Sequence, residues 1–298
     1  MRWSLWIAFA ALCILSGTSW AIPGAMTGGL LPLEQQGLLF GVIGVTALLF
    51  TARQRWPQNN LGRCARLAAA SVGFFALPMV AIEYARGSVS GTSRSAFFAM
   101  VPVVVVMVIA GGDATGLGER GARRSLIPAL IGLGGLLLLL PLEFSGTVHG
   151  WVMLAVVCAA VIVAGLASVW LYRLLQGAGL VRATAVMGLA NAVFLLSWSF
   201  VHEEIAWRWS GLVLVVSLQS LVDVVEILLL VWLLREMQPV PFASRYLVIP
   251  LVTILESFVL MRPEWTARMG FGTVLLAAGA GMLLFLKSGE EETMLSLR

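Results

Sequence analysis

Four carboxylates, Glu83, Asp223, Glu226 and Glu256, interrupt stretches of chain that are otherwise almost wholly apolar. An ionisable group inside a bilayer is costly unless it faces a partner or a water-filled cavity. Gln219, Asp223 and Glu226 follow one another at i, i+4 and i+7 and so share one helix face, with Ser220 beside them. Such a stripe is either the polar wall of a translocation cavity, able to take a cationic group or a proton, or an interhelical hydrogen-bond knot. Arg245, Ile249, Thr253 and Glu256 define a second face. Along a helix axis Arg245 and Glu256 are about 16 Å apart, too far to pair. Glu256 either lines the cavity or snorkels to the outer interface, and Arg245 reads as an anchor at the inner one. Arg94, entering its segment from outside, either attracts an anionic substrate or marks a boundary.

Neutral residues extend the set. Asn191 falls mid-segment, where an amide more often joins two helices than it touches a ligand. Ser16 and Ser19 share a face and are expected to bond back to the preceding turn. Pro78, Pro102 and Pro250 lie inside apolar segments and free backbone carbonyls, so Pro102 and Pro250 are hinge candidates. The candidate cavity-lining set is thus Glu83, Gln219, Asp223, Glu226, Asn191, Thr253, Arg94 and Ser19. No catalytic residue, metal site or cofactor is expected. GLGERG (116–121) lacks the strand that a dinucleotide fingerprint requires before it. His149 and His202 stand in separate loops, and Cys13, Cys64 and Cys158 have no partner at ligand spacing, so they read as small apolar packers.

The elements that must position these residues follow from composition. The 298 residues are 60% apolar and 11% charged, against roughly a quarter charged in a soluble domain. A soluble enzyme, a nucleic-acid binder and a secreted disulfide scaffold are all disfavoured, and the chain reads as an all-α integral membrane protein. A span needs about 20 apolar residues. Breaks at charge, Pro and Gly clusters predict ten segments: 5–23, 33–51, 65–84, 94–111, 125–141, 150–171, 183–201, 209–234, 242–261 and 268–286. Runs such as PVVVVMVIAGG (102–112) do not alternate, which excludes a transmembrane barrel. The first segment has the look of a secretory signal ending in SGTSWA (16–21) but is read as a retained helix. With the N-terminus inside, 14 of the 19 Lys and Arg residues fall in inner loops and 5 in outer ones, the bias of a chain with both termini cytoplasmic.

The sequence reads as a duplication with a period near 146 residues. SRSAFFAMVPVVVVMV (93–108) matches ASRYLVIPLVTILESF (243–258), IPALIGLGGLLLLL (127–140) matches GFGTVLLAAGAGMLLF (270–285), and WIAFAALC (6–13) matches WVMLAVVC (151–158). Residues 1–145 and 146–298 would then be two five-helix repeats. Because five is odd, the second enters the membrane inverted, as in many secondary transporters.

Ten segments as five plus five, short loops and inner termini resemble the drug/metabolite transporter superfamily, in its EamA-like branch. The matching pieces are SGTSWAI (16–22), LPLEQQGLLF (31–40), AIEYARGSVSGTSRSAFFAMVP (81–102) and GLGERGARRSLIPALIGLGG (116–135). The sequence departs from the family in GLLFGVIG (37–44), which lacks a basic residue, in Pro128 for Gly, and in Pro263 between Arg262 and Glu264. The resemblance implies outward alternating-access transport of a small metabolite such as an amino acid across a bacterial-type inner (plasma) membrane. The expected partners are that small molecule and the lipid bilayer, without nucleic acid, and a homodimer is compatible but not required. Two other functions compete. An enzyme acting on a lipid-linked substrate would need interfacial Asp or His clusters, and a non-transporting subunit would need long coupling loops.

Overall fold

The computed structural model describes residues 3–18, 31–51, 61–111, 119–140, 142–202, 218–261 and 266–285. Each of the ten predicted segments carries a helix within them: α1 (Trp3–Thr18), α2 (Pro32–Thr51), α3 (Leu61–Tyr84), α4 (Gly91–Gly111), α5 (Glu119–Leu139), α6 (Val148–Leu175), α7 (Leu180–His202), α8 (Leu218–Glu236), α9 (Pro239–Leu260) and α10 (Ala267–Phe285). Among the described residues there is no strand, only an isolated antiparallel bridge between Val89 and Phe144. Hydrocarbon offers no water to backbone amides, so an apolar run satisfies them internally as helix.

Seven helices, α2, α3, α4, α6, α7, α9 and α10, are long and apolar enough to cross a membrane, as in a multi-pass membrane protein. α1 and the Arg124–Leu139 part of α5 are apolar but shorter. α8 is neither, because Asp223, Glu226, Arg235 and Glu236 fall within its 19 residues. Phe50, Phe200, Val259 and Phe285 are largely exposed on their helices, a surface suited to lipid rather than water.

The chain forms two compact units, each drawing on both halves of the sequence: Met1–Tyr84 with Trp170–Glu236, and Ala85–Val169 with Met237–Arg298. In the first, α2 and α7 lie antiparallel and very close. A β-carbon on Gly188 would come within 2.7 Å of the Gly44 backbone, and one on Gly37 within 2.9 Å of Leu196. Phe40 of α2 meets Phe75 of α3 edge-on at 5.3 Å between ring centres. The C-terminus of α6 is held by Arg63, whose Nη2 donates to the carbonyls of Leu174 and Gln176 at 2.9 and 2.7 Å. Gly177, at φ +71°, then takes the left-handed turn that only glycine enters cheaply.

In the second unit the close pair is α5 and α10, where Gly135 meets the Leu276 backbone and Gly279 meets Gly132. The surrounding apolar core includes Val101, Val105, Ile109, Leu136, Val161, Leu247 and Leu283. A clasp closes the 85–90 loop onto the 143–147 loop. Ser90 N donates to Glu143 O at 3.1 Å and Ser145 N to Ser88 O at 3.0 Å. Ser93 Oγ both accepts from Glu143 N at 2.6 Å and donates to Glu143 O at 2.9 Å.

Candidate functional site

The acidic stripe of α8 belongs to the first unit and meets α1. Thr18 turns its hydroxyl back onto the Ile14 and Leu15 carbonyls at the end of α1. Ser16 Oγ donates to Glu226 Oε1 at 2.5 Å, a bond between α1 and α8 that the sequence does not signal. A hydroxyl next to a carboxylate forms the stronger, charge-assisted bond, and Glu226 is close enough to take it. Asp223, one turn earlier and half-buried, adds a second negative group to the same face. Farther along α8, Ile227, Val231, Leu233 and Leu234 are buried, so the helix is polar at its N-terminal half and packed at the other.

A second polar point lies where α7 meets α3. Pro78 has no N–H to give and its ring would clash with the carbonyl of Phe74 four residues back. The helix widens ahead of it into a π-turn, Val72–Ala76, with Leu77 N donating to Val72 O. Such turns are frequent at functional sites. Next to it Asn191, fully buried, donates through Nδ2 to Ser71 Oγ at 3.2 Å and to Met187 O at 2.8 Å. Its Oδ1 is buried without a hydrogen-bond partner among the described residues. The amide thus joins two helices and still presents one acceptor.

Two helices of the second unit each carry one irregular, tightened turn. α4 consists of Gly91–Phe98 and Val101–Gly111, interrupted at Ala99 and Met100. α9 consists of Pro239–Ala243 and Arg245–Met261, interrupted at Ser244. Pro102 therefore sits in the first turn of a new helical piece, where its missing N–H costs nothing, whereas Pro250 is interior to one. The two turns adjoin: Phe98 stacks on Tyr246 with 6.3 Å between ring centres. Arg245, expected as an interfacial anchor, is only 4% exposed. Its guanidinium lies 4.0 Å from the Phe242 ring centre and 4.4 Å from that of Tyr246, and Nη2 donates to the Tyr246 hydroxyl at 2.8 Å. A cation at a helix N-terminus opposes the dipole, and the two ring faces compensate.

The sequence-predicted residues divide accordingly. Glu83, Asn191, Asp223 and Glu226 lie in the first unit, while Arg94, Thr253, Pro102 and Pro250 lie in the second. Ser19 is outside the described residues, and the side chain of Gln219 is too. Thr253 Oγ1 bonds back to Ile249 O at 3.1 Å. Glu34 of α2, 1% exposed, was not singled out by the sequence reading, since it stands at the edge of a predicted span where acids are ordinary. Among the described residues no three His, Cys, Asp or Glu side chains are grouped to hold a metal.

No family model matches the chain, and no curated protein does. A solved structure described only as that of a protein shares the fold, with a TM-score of 0.70 at 19% identity, over 95% of this chain and 98% of that one. The likeness extends over the whole length and is one of architecture.

Proposed function

We propose that the chain is a ten-span secondary transporter of the drug/metabolite transporter superfamily, EamA-like, with both termini cytoplasmic. In this reading two inverted five-helix repeats, 1–145 and 146–298, carry a small metabolite such as an amino acid outward across a bacterial-type inner membrane by alternating access. The observation that carries it is the matched pair of irregular turns in α4 and α9. The interruptions at Ala99 and Ser244 lie 145 positions apart, the period of the duplication. Interrupted helices at matching places in inverted repeats are where secondary transporters bind substrate and ions. The close-packed glycines support the same symmetry: Gly44 and Gly188 are 144 positions apart, as are Gly135 and Gly279.

In this mechanism no bond is made or broken. The α8 carboxylates of the first unit take the cationic group of the substrate, and Pro102 and Pro250 allow the helical pieces of the second unit to reorient. Asp223 and Glu226 are the groups through which a proton gradient would act. The test is a panel of labelled amino acids in vesicles reconstituted with the purified chain. At least one compound should move in a protein-dependent way, and Asp223→Asn with Glu226→Gln should abolish its dependence on a pH gradient. A folded protein that moves nothing on the panel would refute transport of this class. Gradient dependence that survives in the double variant would refute the coupling alone.

A further inference from the structure

Glu34 stands in the first turn of α2, is 1% exposed, and has no hydrogen-bond partner among the described residues for either carboxylate oxygen. Buried charged groups in proteins are paired, hydrogen-bonded or bound to a cation. The positive end of the α2 dipole favours an acid at this place, but it supplies neither oxygen with a donor. Glu226, by contrast, receives the Ser16 hydroxyl.

The register of α2 on α7 defines what lies at the same level. Gly44 meets Gly188 and Leu189, and Gly37 meets Leu195 and Leu196, so seven residues back along α2 correspond to seven forward along α7. Three residues before Gly37, Glu34 comes to the level of Trp198 and Ser199. Trp198 belongs to an aromatic row, stacked on Phe194 at 6.2 Å and on His202 at 4.3 Å. Anionic oxygens at the level of an indole suit a cation that carries N–H groups, which is attracted to ring faces as well as to carboxylates. They do not suit a hard divalent metal, which asks for six or more oxygen ligands.

We propose that Glu34 is the anionic half of a binding site in the first unit for a small N–H-bearing organic cation, an ammonium group of the trialkylamine or primary amine class. The carboxylate accepts the N–H, and the aromatic row at its level on α7 takes the alkyl substituents.

The experiment uses the full chain in lipid nanodiscs, and trimethylammonium and tetramethylammonium are the probes. They carry the same charge and differ by one N–H donor. A hydrophobic carbodiimide, which reacts with buried carboxyls, is applied with each, and modification at Glu34 is read by mass spectrometry. Trimethylammonium should protect Glu34, about tenfold at ten times its dissociation constant, and tetramethylammonium should not. Trimethylammonium should also raise the melting temperature saturably, an effect absent in Glu34→Gln. Modification without protection would identify a structural acid and overturn the proposal, as would equal protection by both probes or an unchanged thermal response in Glu34→Gln. The carbodiimide arm needs only the native chain, so it decides the matter even where the variant fails to fold. Both readouts report binding, so their outcome is independent of whether any compound crosses a vesicle membrane.

Discussion

Substituting Gly44 by Ala puts the α2–α7 seam to the test. The added β-carbon would sit 2.6 Å from the Leu189 amide nitrogen and 2.9 Å from the Gly188 carbonyl carbon. Both are backbone atoms of the facing helix and cannot rotate aside. Restoring an ordinary contact of 3.4 Å means parting the helices by about 0.8 Å, which loosens interdigitated side chains along the seam. Overpacking of this kind costs about 1–3 kcal/mol, the upper end applying where the obstacle is rigid. Alanine recovers up to about 1 kcal/mol of helix propensity, leaving a net loss of about 2 kcal/mol. At roughly 2–4 °C per kcal/mol, Gly44→Ala should melt some 4–8 °C below the native chain. Gly134→Ala is the control: no atom lies within 4 Å of its added carbon, so it should melt at or slightly above the native temperature. The assay is thermal unfolding of the purified variants in one detergent, followed by helical circular dichroism and by retention of the monodisperse peak. Equal melting of Gly44→Ala and Gly134→Ala would refute the close approach of α2 and α7.

Three further outcomes are expected. Ser16→Ala removes the donor to Glu226 and should cost about 1–2 kcal/mol, read in the same melt; the loss should shrink when Glu226→Gln is already present, and additive losses would count against a direct bond. Asn191→Ala removes the bonds to Ser71 Oγ and Met187 O and opens space beside the π-turn, so a loss of about 2 kcal/mol is expected, with Asn191→Asp no better because the carboxylate cannot donate to Ser71 or Met187 O. Arg245→Lys keeps the charge but not the planar fork lying over two rings, and should lose about 1–2 kcal/mol; a native-like melt would mean that the stacking is unimportant.

The helices were legible because lipid imposes one solution on an apolar run, and the breaks between runs are written in charge, Pro and Gly. The Asp223 and Glu226 stripe was legible for the opposite reason, since a charge in such a run is rare and its spacing assigns it to a face. Three features were not. The widening ahead of Pro78 depends on how the helix reroutes its bonds, which the proline signals without specifying. Arg245 reads as an anchor from its place near a span end, whereas it is buried against Phe242 and Tyr246, a contact set by tertiary packing. Glu34 has the sequence context of an ordinary first-turn acid, and its burial comes from tertiary packing that no local pattern encodes.

The interleaving of the two units bears on the order in which the chain can assemble. Synthesis runs from the N-terminus, and the first unit has all its helices once Glu236 has emerged. The second must wait for the last stretch, because the Gly132 and Gly135 face of α5 is filled by α10, which begins at Ala267. Throughout that interval the Gly132 and Gly135 face of α5 is without the helix that fills it. A chain stopped after Glu236 would hold one finished bundle and one orphaned groove, the kind of surface by which membrane quality control recognises an incomplete protein.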